Sequence, residues 1–177
     1  MALPDYLRVT QGTAIIAGPS GATGVTHTFS LDALANGAAQ QSVLIDFGAT
    51  FPRRVAVYFR VETGTAPTAG TTTELYIVSS WDGSTWPAKV TGSDGSYTLG
   101  TSDANLRQAG PPVVSLIATA DGNTVLGQDA VIYEPKGRYA VLIADNNLGV
   151  AYRDETTNSN NDSRVIIVPL PDVSEDT

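Results

Sequence analysis

Apolar and polar residues alternate along this chain with the two-residue period of half-buried β-strands, and no long amphipathic helical period interrupts them. The clearest run is Arg53 to Glu62. Val55, Val57, Phe59 and Val61 point one way, and Arg54, Ala56, Tyr58, Arg60 and Glu62 the other. One face is therefore expected in the core and the other in water or against a partner. Val25 to Leu31 alternates as cleanly, which puts His27 at the core or its margin beside Phe29 and Leu31. Gln41 to Phe47 is expected to turn Val43, Ile45 and Phe47 inward. Shorter strands are expected at Tyr6 to Thr10, Thr13 to Ala17, Val113 to Thr119, Asp129 to Glu134, Arg138 to Ala144 and Gly149 to Tyr152. The last strand, Arg164 to Leu170, carries the unbroken apolar run VIIVPL, expected of a strand covered on both faces or closing the core.

The stretch Thr72 to Gly100 organises the rest. A strand through Leu75, Tyr76, Ile77 and Val78 runs into Asp82-Gly83, flanked by Trp81 and Trp86, and a second Asp-Gly pair follows at Asp94-Gly95. Asp-Gly between β-formers predicts tight hairpins. Two short helical pieces are expected: Ser30 to Gly37, capped by Ser30 and stopped at Asn36-Gly37, and Ser102 to Gln108, capped by Ser102 and ended by Gly110-Pro111-Pro112. Turn signals recur about every eight to twelve residues, and no repeat of fixed period is present. The expected fold is all-β: one antiparallel β-sandwich of jelly-roll type over residues 1–177, with roughly 8–10 strands. A candidate N-terminal arm spans 1–24 and an acidic tail 171–177.

A chain of 177 residues buries roughly 70% of its unfolded surface, so it needs no disulfide or metal to hold a core. There is no cysteine, which removes thiolate chemistry and disulfides and suits a reducing compartment. A single histidine excludes any mechanism that needs two. Ten basic against eighteen acidic residues give a net charge of −8, with no basic stripe to follow a phosphate backbone, so nucleic acid is not expected as a partner. The N-terminus lacks the basic head and apolar run of a signal peptide, and no stretch is long enough to span a bilayer, so no membrane partner is expected.

Candidate chemistry is sparse. GPSGATGVT, Gly18 to Thr26, has five residues between Gly18 and Gly24 and Val25 where a phosphate-binding loop needs lysine, so it reads as a plain loop. SSWDGSTW, Ser79 to Trp86, falls one residue short of the Asp-box of sialidase-type propellers and occurs once. Its Asp-Gly is expected to serve a turn, with a sugar platform built on Trp81 and Trp86 as the competing reading. Asp154-Glu155 and Glu175-Asp176 read as solvated charges, and Asn158 to Asp162 offers oxygens without the spacing of a calcium loop. No catalytic set, cofactor or metal is expected. Arg53, Arg54 and Arg60, clustered on the best strand of an acidic protein, are candidate contacts to an acidic partner, against the simpler role of guarding a strand edge.

The segment from Glu74 to Gly100, Gly137 to Tyr152 (GRYAVLIADNNLGVAY) and the closing RVIIVPLPD together resemble small virion proteins of tailed bacteriophages, the jelly-roll capsid decoration or cement proteins. The resemblance implies a non-enzymatic protein, made in the host cytoplasm and resident on the capsid surface, that binds the major capsid protein as a homotrimer and clamps neighbouring subunits. It defines no functional residues. A tail, baseplate or head-fibre component is the nearest alternative role, and a carbohydrate- or receptor-binding module using Trp81 and Trp86 is the alternative of another class.

Overall fold

The computed structural model describes residues 12–154 and 163–171, and these form two packed six-stranded sheets. The first sheet holds β1 (Ile15–Gly18), β2 (His27–Thr28), β5 (Val55–Glu62), β9 (Val125–Gly127), β10 (Val131–Tyr133) and β12 (Arg164–Pro169). Their order is β10-β5-β12-β1-β2, with β9 beside β10 along the same edge of β5. The second holds β3 (Ala38–Gln41), β4 (Ile45–Asp46), β6 (Thr72–Ser80), β7 (Gly95–Tyr97), β8 (Val114–Ile117) and β11 (Tyr139–Asn147), in the order β7-β3-β11-β6-β8 with β4 also on β11.

When β3 with β4, and β9 with β10, are each counted as one broken strand and the short edge strands β2 and β7 are set aside, eight strands remain and pair from the outside in. The first pairs with the last (β1 with β12), the second with the seventh (β3/β4 with β11), the third with the sixth (β5 with β9/β10) and the fourth with the fifth (β6 with β8). This nesting is the jelly roll. Every pairing is antiparallel except β1 with β2, which is parallel.

The inward faces match the alternation. Val55, Val57, Phe59 and Val61 of β5 are buried against Leu75 and Ile77 of β6, Ala140, Leu142 and Ala144 of β11, and Val165 and Ile167 of β12. Tyr152 is the bulkiest fully buried side chain, with its hydroxyl bonded to Thr73 Oγ1. It comes from a segment expected to be a strand, but only a single bridge, Thr63 with Tyr152, forms there. The strand expected at Gln41 to Phe47 splits, because Ser42 turns its hydroxyl into the ladder to accept from Leu142 N–H at 3.0 Å, and Val43 N–H leaves the sheet for Thr28 O. Ile45 is fully buried and Phe47 packs on the core, while Val43 is only half-buried.

Neither Asp-Gly pair closes a hairpin. β6 is flanked by β11 and β8, and β7 pairs with β3. Gly83 has φ +71° but Asp82 has no positive φ, so the two-residue turn that needs both is not formed. The segment from Trp81 to Val113 instead folds across the outside of the second sheet. Ala88, Val90, Tyr97 and Leu106, with Trp86 and Leu99 partly buried, pack on Tyr76, Val78, Val141 and Ile143 as a second core. The helix is shorter than expected: α1 is Ala104–Arg107, and Ser102 and Asp103 before it take positive φ, so Ser102 is not its cap. No helix forms at Ser30 to Gly37. Ser30 is drawn to Asp94, its N–H donating at 2.8 Å and its hydroxyl at 2.5 Å, and Ala33 turns to φ +50°.

Candidate functional site

Among the described residues, the second sheet is thus covered on both faces and the first on one. The outer face of the first sheet follows directly from its registers. Ile16, Ile166 and Tyr58 form one row across β1, β12 and β5, and Val168, Ala56 and Ile132 form the next across β12, β5 and β10. Tyr58 is 41% and Ile132 55% exposed, and Ile16, Ile166 and Val168 are half-buried. The apolar run of β12 is therefore not sealed on both sides: Val165 and Ile167 are buried while their neighbours reach the surface.

All three arginines singled out from the sequence lie on β5 or at its head, beside this apolar field. Arg53 and Arg54 are exposed there, and half-buried Arg60 stands opposite Arg164 of β12. Where the chain leaves β9 for β10, a shallow groove of about 800 Å³ opens, lined by Tyr58, Arg60, Gln128, Asp129, Arg164 and Ile166. The far side of β5 is not uniformly wet. Ala56 is shielded between Val168 and Ile132, and Glu62 is buried with Arg153 Nη1 on its Oε1.

The two tryptophans part company. Trp86 packs on the second core, whereas Trp81 is 71% exposed and meets the Phe51 ring edge to face, at 5.4 Å between ring centres and 75° between planes. The turn that follows is tightly bonded. Asp82 Oδ1 accepts from the Ser84 and Thr85 amides at 2.9 and 2.7 Å and from the Ser80 hydroxyl at 2.9 Å, and Oδ2 accepts from the Thr85 hydroxyl at 2.8 Å. Those amide donors hold the Asp82 carboxyl well below the usual carboxylate range. Beside it, Asp46, Tyr139 and Ser80 occupy one row across β4, β11 and β6. Arg138 grips Asp46 with two bonds of 2.7 and 2.6 Å and lies 4.8 Å from the centre of the Tyr139 ring. That grip, with the Gly48 amide, draws the Asp46 carboxyl down to about 2.

His27 sits half-buried at the sheet margin, Nδ1 3.0 Å from Thr26 Oγ1, and burial lowers its pKa. Among the described residues, no group of three histidines and carboxylates is arranged to hold a metal ion. Tyr6 to Thr10, Asn158 to Asp162 and most of the acidic tail lie outside the described residues. No known protein family matches the chain, and no curated protein or solved structure matches it either.

Sequence reasoning missed Ile132, Ile166 and Phe51 as surface residues and the Asp46–Arg138 pair altogether. For Ile132 and Ile166 the alternation was present, but which face stays uncovered depends on the distant segment that covers the other sheet. Asp46 and Arg138 are 92 positions apart and carry no local signal.

Proposed function

We propose that this chain is a non-enzymatic structural protein of a tailed-phage virion, a capsid decoration protein that lays the outer face of its first sheet on the capsid. One observation carries the choice of surface: Tyr58 and Ile132 stand exposed on the outer face of the first sheet, which no other described segment covers, with Arg53, Arg54 and Arg60 beside them. An apolar centre with a charged border is the anatomy of a protein-binding patch. The basic border favours an acidic capsid surface and speeds correct docking more than it adds affinity.

A single face of this kind gives a contact of modest size. A homotrimer on three-fold positions makes three such contacts at once, and the effective concentration of the second and third raises the overall affinity by orders of magnitude. The jelly-roll topology and the resemblance to phage decoration proteins support the same reading.

Removing the gene product from virions tests it. Capsids should still assemble but release their genome at a lower temperature, and added protein should restore the difference. Capsids that are equally robust without it contradict the proposal.

A further inference from the structure

The geometry points to a second binding site, at Trp81, for one face of a neutral pyranose sugar. Trp81 is among the most exposed large apolar side chains described, and the turn that carries it is closely hydrogen-bonded. Asp82 accepts four hydrogen bonds immediately after it. Gly137 presses on the peptide before it, so closely that a Cβ there would lie 2.5 Å from the Ser80 carbonyl oxygen and 3.2 Å from Trp81 N. Gly83 fits against Tyr139, where a Cβ would meet the ring at 3.2 Å. Phe51 holds the indole by its edge. With the backbone of the turn fixed and Phe51 against the ring, a ligand that stacks on the indole has only that one side chain left to order.

The neighbours decide the class of ligand. Asp82, Ser84 and Thr85, in the turn that follows Trp81, are exposed, so the indole and the half-buried Phe51 ring stand beside polar residues rather than in a broad apolar field. Arg138 follows Gly137 directly and pairs with Asp46, and both side chains remain more than a third exposed. The pair offers carboxylate acceptors and guanidinium donors in a fixed orientation. A pyranose has this same pattern: a face of C–H groups to lie on an indole, and a rim of hydroxyls to give and accept hydrogen bonds. Trp86 takes no part, since it is committed to the second core. The site does not use the outer face of the first sheet, and it rests on its own geometry.

A glycan array with the intact protein, followed by titration of the best neutral oligosaccharide against tryptophan fluorescence, tests the assignment. The expected result is retention of at least one pyranose glycan, a change in tryptophan emission on binding, and a loss of roughly tenfold or more in affinity for Trp81→Ala. Asp46→Asn should weaken binding while leaving the indole response in place. Three results overturn the assignment: no glycan retained, binding unchanged in Trp81→Ala, or a Trp81→Ala variant whose only defect is in contacting capsid protein.

Discussion

Asp145 on β11 stands directly opposite Glu74 on β6, two carboxylates in register on the face of the second sheet that the segment from Trp81 to Val113 covers. Asp145 is 4% exposed; its Oδ2 accepts from Asn147 Nδ2 at 2.7 Å, and its Oδ1 has no hydrogen-bond partner among the described residues. Burial, then the negative charges of Asp103 and Glu74, push its pKa up to about 6 against an ordinary 3.8. Glu74 is engaged by the Tyr76 hydroxyl at 2.5 Å and offers no relief.

The sign of the pH dependence follows. Between roughly pH 4 and 6 the folded chain holds a proton at Asp145 that the unfolded chain has lost, so this group's contribution to stability falls as pH rises through that window. Asp46 and Asp82, whose pKa values are lowered, act oppositely, and their contribution is lost only as pH falls below about 4. Asp145→Asn should therefore raise stability at pH 7 by roughly 1–3 kcal/mol and flatten the profile between pH 4 and 6. Urea midpoints at pH 4.5 and 7 for both proteins give the answer.

Tyr152 ties the closing segment to the core through Thr73, whose own hydroxyl donates to the Asp145 carbonyl at 2.8 Å. Tyr152→Phe removes one buried hydrogen bond and keeps the ring, and should cost about 1 kcal/mol. Tyr152→Ala opens a cavity at the largest buried side chain and should cost roughly 3–5 kcal/mol. Thermal or urea unfolding separates the two.

Two glycines make a matched pair. A Cβ at Gly137 would strike the Ser80 backbone at 2.5 Å, whereas one at Gly64 meets nothing within 4 Å and its φ is not positive. Gly137→Ala should destabilise the protein by about 1–3 kcal/mol, with a shift in Trp81 emission as the turn moves. Gly64→Ala should be neutral or stabilising by up to about 1 kcal/mol. Denaturation of both variants, with emission spectra, tests how firmly the Trp81 turn is held.

Strand identity was legible wherever alternation was strong. Val55, Val57, Phe59 and Val61 lie where their period places them, and Ile45 and Val165 lie in the same core. The jelly-roll class followed from short strands and frequent turns. What was not legible was the destination of the segment from Trp81 to Val113. Asp82-Gly83 is a local signal, and the competing pull came from Ala88, Val90, Leu99 and Leu106, which follow no period and find their partners only once β6 and β11 are paired. The same distance hid the candidate site: Arg54 and Arg60 could be picked out by charge, but the bareness of Tyr58 and Ile132 is a property of the whole sandwich.

The most direct test of the proposed capsid-binding face is loading of purified protein onto mature capsids that lack it, measured by light scattering together with Ile132→Asp and Arg54→Glu variants. Wild-type protein should be trimeric and load to a number matching the three-fold positions. Ile132→Asp should lose at least about tenfold in apparent affinity and Arg54→Glu should slow loading, with each fold changed by no more than about 0.5 kcal/mol. Full loading by Ile132→Asp, or a wild-type protein that ignores capsids, would contradict the account.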